Sequence, residues 1–304
     1  MKTYVSDSDF YYLQSLTDIP IELYELRNKT LFDSDTPSKN AFRMLCEALI
    51  TASKSYPKGL NLLRDVAKCV PSRAPCNHIC CPACRTIKQK SSVRRSQELF
   101  NDASNDNTYF ITALLPMTPY LSQASKSIDK HRKALRRYLN NYIKSNDLSI
   151  NVFGAYEYDL KTVNEYKVAS ERAKQLFSDL GYKKDINEPM WLPHLHALIS
   201  PINDKQREDI RSLIHKATYD GEPIGYGIEI KSLRSDKDIS ENLSTIASYM
   251  WKARLQHSDN IFASTDGKNR AKYKSMFASE YLYQLASYIK ANGSFKALKF
   301  EVKG

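Results

Sequence analysis

Two histidines one residue apart in an apolar run, His194 and His196 in "MWLPHLHALISPI", are the first residues here whose type and spacing could do chemistry. In a strand, residues i and i+2 face the same side. The two imidazoles then stand about 7 Å apart along one face. Such a pair can hold one metal ion if a neighbouring strand supplies a further ligand. Glu157, inside "LSINVFGAYEYDL", is the best candidate, because an antiparallel neighbour would set its carboxylate opposite the pair. Asp159 has the same parity and is the fallback. The plainer alternative is two hydrogen-bonded histidines without a metal. Imidazole and carboxylate are common ligands, which favours the metal.

A second cluster is "CNHICCPACR", which holds Cys76, His78, Cys80, Cys81 and Cys84. Cysteines so close together in a chain expected to be reduced point to zinc rather than disulfides. Cys81-Pro-Ala-Cys84 forms a knuckle; Cys76 or Cys80, with His78, would supply the rest. Cys69 is an outside candidate, and a set of unpaired thiols is the alternative. A third pair is Tyr249 and Lys252 in "STIASYMWKARLQ". Three residues apart, they share a helix face. Taken alone, most such pairs are surface decoration.

The elements that must position these residues are legible in outline. Residues 1–70 read as a helical N-terminal region, with Phe42, Leu45, Cys46, Leu49 and Ile50 at helical spacing. Residues 71–107 form a cysteine-rich module and basic linker with Pro71, Pro75 and Pro82. From residue 108 to 256 the pattern is regular. "TYFITALLP" is a strand ended by proline. A long basic amphipathic helix spans about residues 122–144. Residues 148–160 form a strand with Gly154 as a candidate bulge, and 163–188 a polar helical insertion. The His-Leu-His strand follows. Next come a helix over 203–219 capped by Asn203 or Asp204, a strand over 226–233, and a helix over 235–256, with Ser235 and Asp238 resembling a capping box. The order β-α-β-(insert)-β-α-β-α suits an α+β fold, a mainly antiparallel sheet flanked by helices. Residues 257–304 read as a helical extension with a possible closing strand, "FKALKFEV".

Lys and Arg total 45 against 34 Asp and Glu, a net charge of +11 over 304 residues. Such a surplus favours a polyanionic partner, nucleic acid above all. Two stretches are the best contact candidates. One is Arg85, Lys88, Lys90, Arg94 and Arg95 after the cysteines; the other is Lys130, Lys133, Arg136 and Arg137 on the long helix. A solvated charged face is the bland alternative. The start "MKTYVSDSDFYYLQ" lacks the apolar core of a signal peptide, and no apolar run is long enough to span a membrane. A cytoplasmic location, with no membrane partner, is expected.

Three motifs in order resemble those of the HUH endonucleases, named for His-hydrophobic-His, and in particular the replication initiators of rolling-circle plasmids and phages. "YFITALLP", with Thr112, resembles the first motif; "PHLHALIS", with His194 and His196, the metal motif; "SYMWKAR", with Tyr249 and Lys252, the tyrosine motif. The resemblance covers about residues 108–256. In conjugative relaxases of this superfamily the tyrosine precedes the histidines. Here it follows them, which favours the replication or transposase side.

The resemblance implies an endonuclease and strand transferase that nicks a replication origin. His194, His196 and Glu157 would hold Mg²⁺ or Mn²⁺, with imidazole tilting the preference toward Mn²⁺. Tyr249 would attack the phosphodiester, leaving a 5′-phosphotyrosine and a free 3′-OH. Lys252 would lower the pKa of the phenol, ordinarily about 10, or hold the phosphate. The implied partners are DNA, single-stranded or as an origin hairpin, with a host helicase and DNA polymerase. A similar Cys-Pro-x-Cys cluster precedes the nuclease domain of several plasmid initiators. The chain departs from the pattern at position 245, a threonine where some single-tyrosine initiators carry glutamate, and no second tyrosine lies nearby. Glu241 is two turns before Tyr249, about 12 Å along the helix. The termination cleavage is therefore unassigned.

Three other functions compete. A transposase of the same superfamily would use the same chemistry. A non-catalytic zinc-containing DNA-binding regulator would need the basic patches but not Tyr249. An iron oxygenase with two histidines and a carboxylate would need neither the basic surplus nor the tyrosine helix.

Overall fold

A computed structural model describes residues 61–62, 65–66, 69, 74–183, 188–219, 227–251, 256–263, 269–276 and 279–304, with the backbone alone between 256 and 279. The expected helical region 1–70 lies almost wholly outside the described residues, as does Lys252. Among the described residues no helix is long and apolar enough to cross a membrane. The chain divides into two compact units, residues 1–88 with 276–297, and residues 89–275 with 298–304.

The fold is α+β. Along the chain run α1 (Pro82–Leu99), β1 (Tyr109–Leu114), α2 (Leu121–Ser145), β2 (Asn151–Lys161), α3 (Val163–Val168) and α4 (Glu171–Asp179). Then come β3 (Met190–Ser200), α5 (Asp204–Thr218), β4 (Ile228–Ser232), α6 (Ile239–Tyr249), β5 (Gln256–Ala263), β6 (Asn269–Met276), α7 (Ser279–Ala291), a 3₁₀ turn (Ser294–Leu298) and β7 (Lys299–Val302). Five strands form one sheet in the order β4-β1-β3-β2-β7, and β5 pairs with β6 in a second. Every pairing in the larger sheet is antiparallel.

Position in the sheet explains the sequence of each strand. β3 lies at the centre and is buried at all 11 residues, which is why it reads as an unbroken apolar run rather than an alternation. β4, at the edge, alternates buried and exposed positions and then runs out into exposed Lys231 and Ser232. Helix α2 lays one stripe on the sheet, with Leu121, Ala124, Ile128, Leu135 and Leu139 buried. Each large aliphatic side chain so buried contributes about 1.5–3 kcal/mol. His131 of the same stripe is hydrogen-bonded to the Tyr156 hydroxyl at 2.7 Å.

Three expectations change. Gly154 is not a bulge: it pairs in unbroken register with Ala197, and a Cβ there would strike the His196 carbonyl oxygen and the Ala197 side chain. Close strand approach, rather than an extra residue, calls for glycine. The helix expected over 235–256 is shorter: Asp238 caps it by accepting from the Glu241 amide, and Tyr249 is its last residue. Residues 257–276 hold strands β5 and β6, not helix. The closing strand is present as β7, beside β2.

Candidate functional site

Strand register assembles the site in the second unit. Glu157 on β2 lies directly across from His194 on β3, and Thr112 on β1 directly across from His196. All four side chains therefore stand on one face of the sheet. Glu157 Oε2 is 3.3 Å from His194 Nε2 and 3.8 Å from His196 Nε2. The imidazoles lean together, with ring centroids 4.7 Å apart. One ligand atom from each of the three residues lies within 4.8 Å of the others, a group that could hold a metal ion.

The surrounding groups aim both Nε2 atoms inward. His194 Nδ1 is 3.2 Å from the Leu192 carbonyl oxygen. A carbonyl only accepts, so Nδ1 carries the proton there and Nε2 is left to act as a ligand. His196 Nδ1 meets the Thr112 hydroxyl at 3.1 Å. Glu157 Oε1 is buried and has no hydrogen-bond partner among the described residues. A buried carboxylate oxygen in that state calls for a counterpart, and a cation supplies one. Burial, with the neighbouring charge of His194, pushes His196 down to about 2 and keeps it neutral, as a ligand must be. Burial also opposes protonation of His194, but the hydrogen bond and charge of Glu157 outweigh it and raise its pKa.

Tyr249 completes the site. Its ring lies 5.1 Å from that of His196, and it is 46% exposed. Met250 and Trp251, the next two residues, are buried, so the end of α6 is anchored while the phenol faces out. Phe110 stacks on His196 at 5.5 Å and meets Tyr249 edge-on at 6.3 Å. At the start of α6, buried Asn242 donates to Asn105 Oδ1 and to the Arg234 carbonyl oxygen. At its end Gln89 donates to the Ser248 carbonyl oxygen.

Comparison with known protein families, with curated proteins and with solved structures finds no match. Function therefore rests on the chemistry of the site.

Other expected residues fall elsewhere. The fallback ligand Asp159 is bound to Lys161, whose Nζ is 2.7 Å away. Glu241 pairs with Lys237. Arg95 is tied to Glu301 at 2.6 Å and Arg94 lies 3.7 Å from Glu98, whereas Lys90 is exposed. Arg85 and Lys88 are half-buried. Lys130, Lys133, Arg136 and Arg137 are exposed on α2. Phe110 was not singled out from the sequence, although its parity with Thr112 puts it on the same face.

The first unit holds a second group. Ligand atoms of Cys69, Cys76, Cys81 and Cys84 lie within 4.8 Å of one another and could hold a metal ion. Cys69 and Cys84 sulfurs are 3.5 Å apart, Cys76 and Cys84 sulfurs 3.7 Å. The Cys76 amide donates to Cys69 Sγ at 3.4 Å, and the Asn77 amide donates to Cys84. Asn77 turns the loop with φ 55°, a left-handed conformation that asparagine tolerates. Hydrogen bonds from Cys76, Cys81 and Cys84 lower the pKa of Cys69 and favour its thiolate.

The structure takes in Cys69 and leaves out His78 and Cys80. His78 Nε2 is 3.0 Å from Asp65 and 3.2 Å from Lys290 Nζ. Cys80 Sγ is aimed at the Leu282 carbonyl oxygen, and burial pushes its thiol up to about 12. A thiol held protonated makes a poor ligand. Adjacent residues Cys80 and Cys81 point apart, which spacing alone does not settle.

Proposed function

We propose that the protein is a metal-dependent DNA endonuclease of the HUH type that nicks a replication origin and starts rolling-circle replication. The observation that carries this reading is the exposed Tyr249 phenol beside His196, over a Glu157–His194–His196 group built from separate strands. A nucleophile next to a ligand set with open positions is what metal-assisted transfer to a side chain requires.

Glu157, His194 and His196 would hold Mg²⁺ or Mn²⁺, which when bound neutralises the scissile phosphate and polarises its P–O bond. Thr112 and the Leu192 carbonyl fix the ring orientations. Phe110 holds the Tyr249 ring against His196. Tyr249 Oη attacks phosphorus as the phenol proton leaves, and the bond to the 3′ oxygen breaks. That oxygen takes up a proton and departs as the 3′-OH; the 5′-phosphate stays on tyrosine. One phosphodiester replaces another, so rejoining needs no nucleotide cofactor.

Zinc is the ion we assign to the four thiols. Tetrahedral zinc with Zn–S bonds of about 2.3 Å sets sulfurs roughly 3.8 Å apart, close to the separations above. The test of the nicking reading is Tyr249→Phe on single-stranded origin DNA with Mn²⁺. Binding should persist and cleavage vanish; continued cleavage by this variant would sink the reading.

A further inference from the structure

We infer that the outer face of α2 docks duplex DNA, on the side of the sheet opposite the Glu157–His194–His196 group. This goes beyond the nicking reading, because it rests on the charge pattern of α2 and not on cleavage chemistry.

Sidedness follows from the strands. Neighbours on β2, Tyr156 and Glu157 point to opposite faces. Tyr156 is bonded to His131 of α2. Arg136 of α2 lies 5.9 Å from the ring centroid of Phe300, which is edge-on to Tyr156. Helix α2 therefore covers the face turned away from the site.

The charges on that helix are ordered. At about 100° per residue, Lys126, Lys130, Lys133, Arg137 and Lys144 fall within about 40° of one line along the helix. Buried Ala124, Ile128, His131, Leu135 and Leu139 fall within about 40° of the opposite line. The remaining positions on the outer line, Ser122 and Asn140, are uncharged. Asp129, off the line, is engaged by Arg132 at 3.2 Å. On neighbouring α5, Arg207 and Arg211 lie beside Asp204 and Glu208 of the same helix. From Lys126 to Lys144 the stripe runs about 27 Å, alongside roughly sixteen phosphate charges of a duplex.

A duplex suits this face better than a single strand. Sites for single strands combine charge with aromatic rings on which bases stack. The stripe offers no ring. Tyr138 beside it is half-buried and flanked by Arg137 and Lys216, 5.0 and 5.2 Å from its centroid. A straight, rigid row of cations matches a stiff row of phosphates, whereas exposed Tyr249 with Phe110 suits single-stranded DNA on the other face.

The test compares the full chain with Lys126→Gln/Lys133→Gln/Lys144→Gln. A control, Lys167→Gln/Arg172→Gln/Lys183→Gln, loses the same charge from the α3–α4 region. Glutamine keeps helix propensity at exposed positions, and an unchanged melting temperature verifies the fold. The probes are a short duplex of arbitrary sequence, its separated strand, and phosphatidylglycerol vesicles. For the stripe variant on duplex, the slope of log affinity against log salt should shrink by between two and three, about 0.9 per lost phosphate contact. The single Lys133→Gln should shrink it by about 0.9. The control, and single-strand binding, should keep their slopes. Any of four results overturns the inference: no duplex binding by the unmodified chain, an equal change in stripe and control variants, an equal change on the single strand, or loss confined to vesicles. None involves cleavage, so the nicking reading stands or falls separately.

Discussion

Cys69, Cys76, Cys81 and Cys84 bring four sulfurs within 4.8 Å of one another, whereas the Glu157–His194–His196 group also borders exposed Tyr249. The first set offers four soft thiols, the number a tetrahedral metal site takes. The second offers two imidazoles and a carboxylate, three ligands that would leave further coordination positions of an ion open. A closed site holds chain segments together; an open one can act on something that arrives. The surroundings agree. The cysteines take amide hydrogen bonds from their own loop, while the histidines meet Thr112 and the Leu192 carbonyl and His196 is stacked against Phe110.

The largest expected effect separates the two. Structural zinc contributes on the order of 10–16 kcal/mol to the folding of small modules. Stripping the thiol-bound metal with a mercurial should therefore abolish hydrogen-exchange protection in α7, which shares a unit with the cysteines, and leave β3 protected. Equal loss in both would erase the distinction between the units. Glu157→Gln comes next. It should weaken Mn²⁺ binding by more than about 100-fold, beyond the 10–100-fold of outer-shell changes, without altering zinc content by metal analysis. An unchanged Mn²⁺ titration would remove Glu157 from the ligand set.

The core behind the open site has an acid sensitivity of its own. Burial holds His131 down at about 4, against an ordinary 6.5, with Arg132 adding to it. The unfolded chain binds this proton more readily, so His131 contributes fully above pH 6.5 and its contribution falls away as pH drops toward 4. The swing is on the order of 3 kcal/mol. In His131→Gln, protection of β3 amides should decline less steeply over that range; an identical decline would show that His131 does not set it. The smallest effect is that of Thr112→Val, which keeps shape but releases His196 Nδ1. Mn²⁺ affinity should fall about 10–100-fold, with Tyr249 still able to react at saturating metal. No change in the titration would make Thr112 a bystander.

Strand parity carried most of what was legible in advance. Period two places His194 with His196, and antiparallel pairing places Glu157 across from them, with no knowledge of loops. The cysteine ligands were harder. Cys80 and Cys81 are adjacent and chemically alike, and only the packing of α7 turns one toward Leu282 and the other toward Cys69. Cys69 lies well outside the dense run, so proximity in sequence argued against it. The end of α6 was misjudged because Met250 and Trp251 continue a helical apolar pattern although they pack as an anchor after its last turn. Strands β5 and β6 were missed because "NRAKYKSM" alternates polar and apolar residues only weakly.

The most direct test is covalent. The full chain is mixed with single-stranded origin DNA and Mn²⁺, quenched, digested and mapped by mass spectrometry. An adduct on Tyr249 through a 5′-phosphate, absent with Glu157→Gln, is the result expected. Cleavage without an adduct, or an adduct on another tyrosine, would contradict the assignment of Tyr249 as the nucleophile.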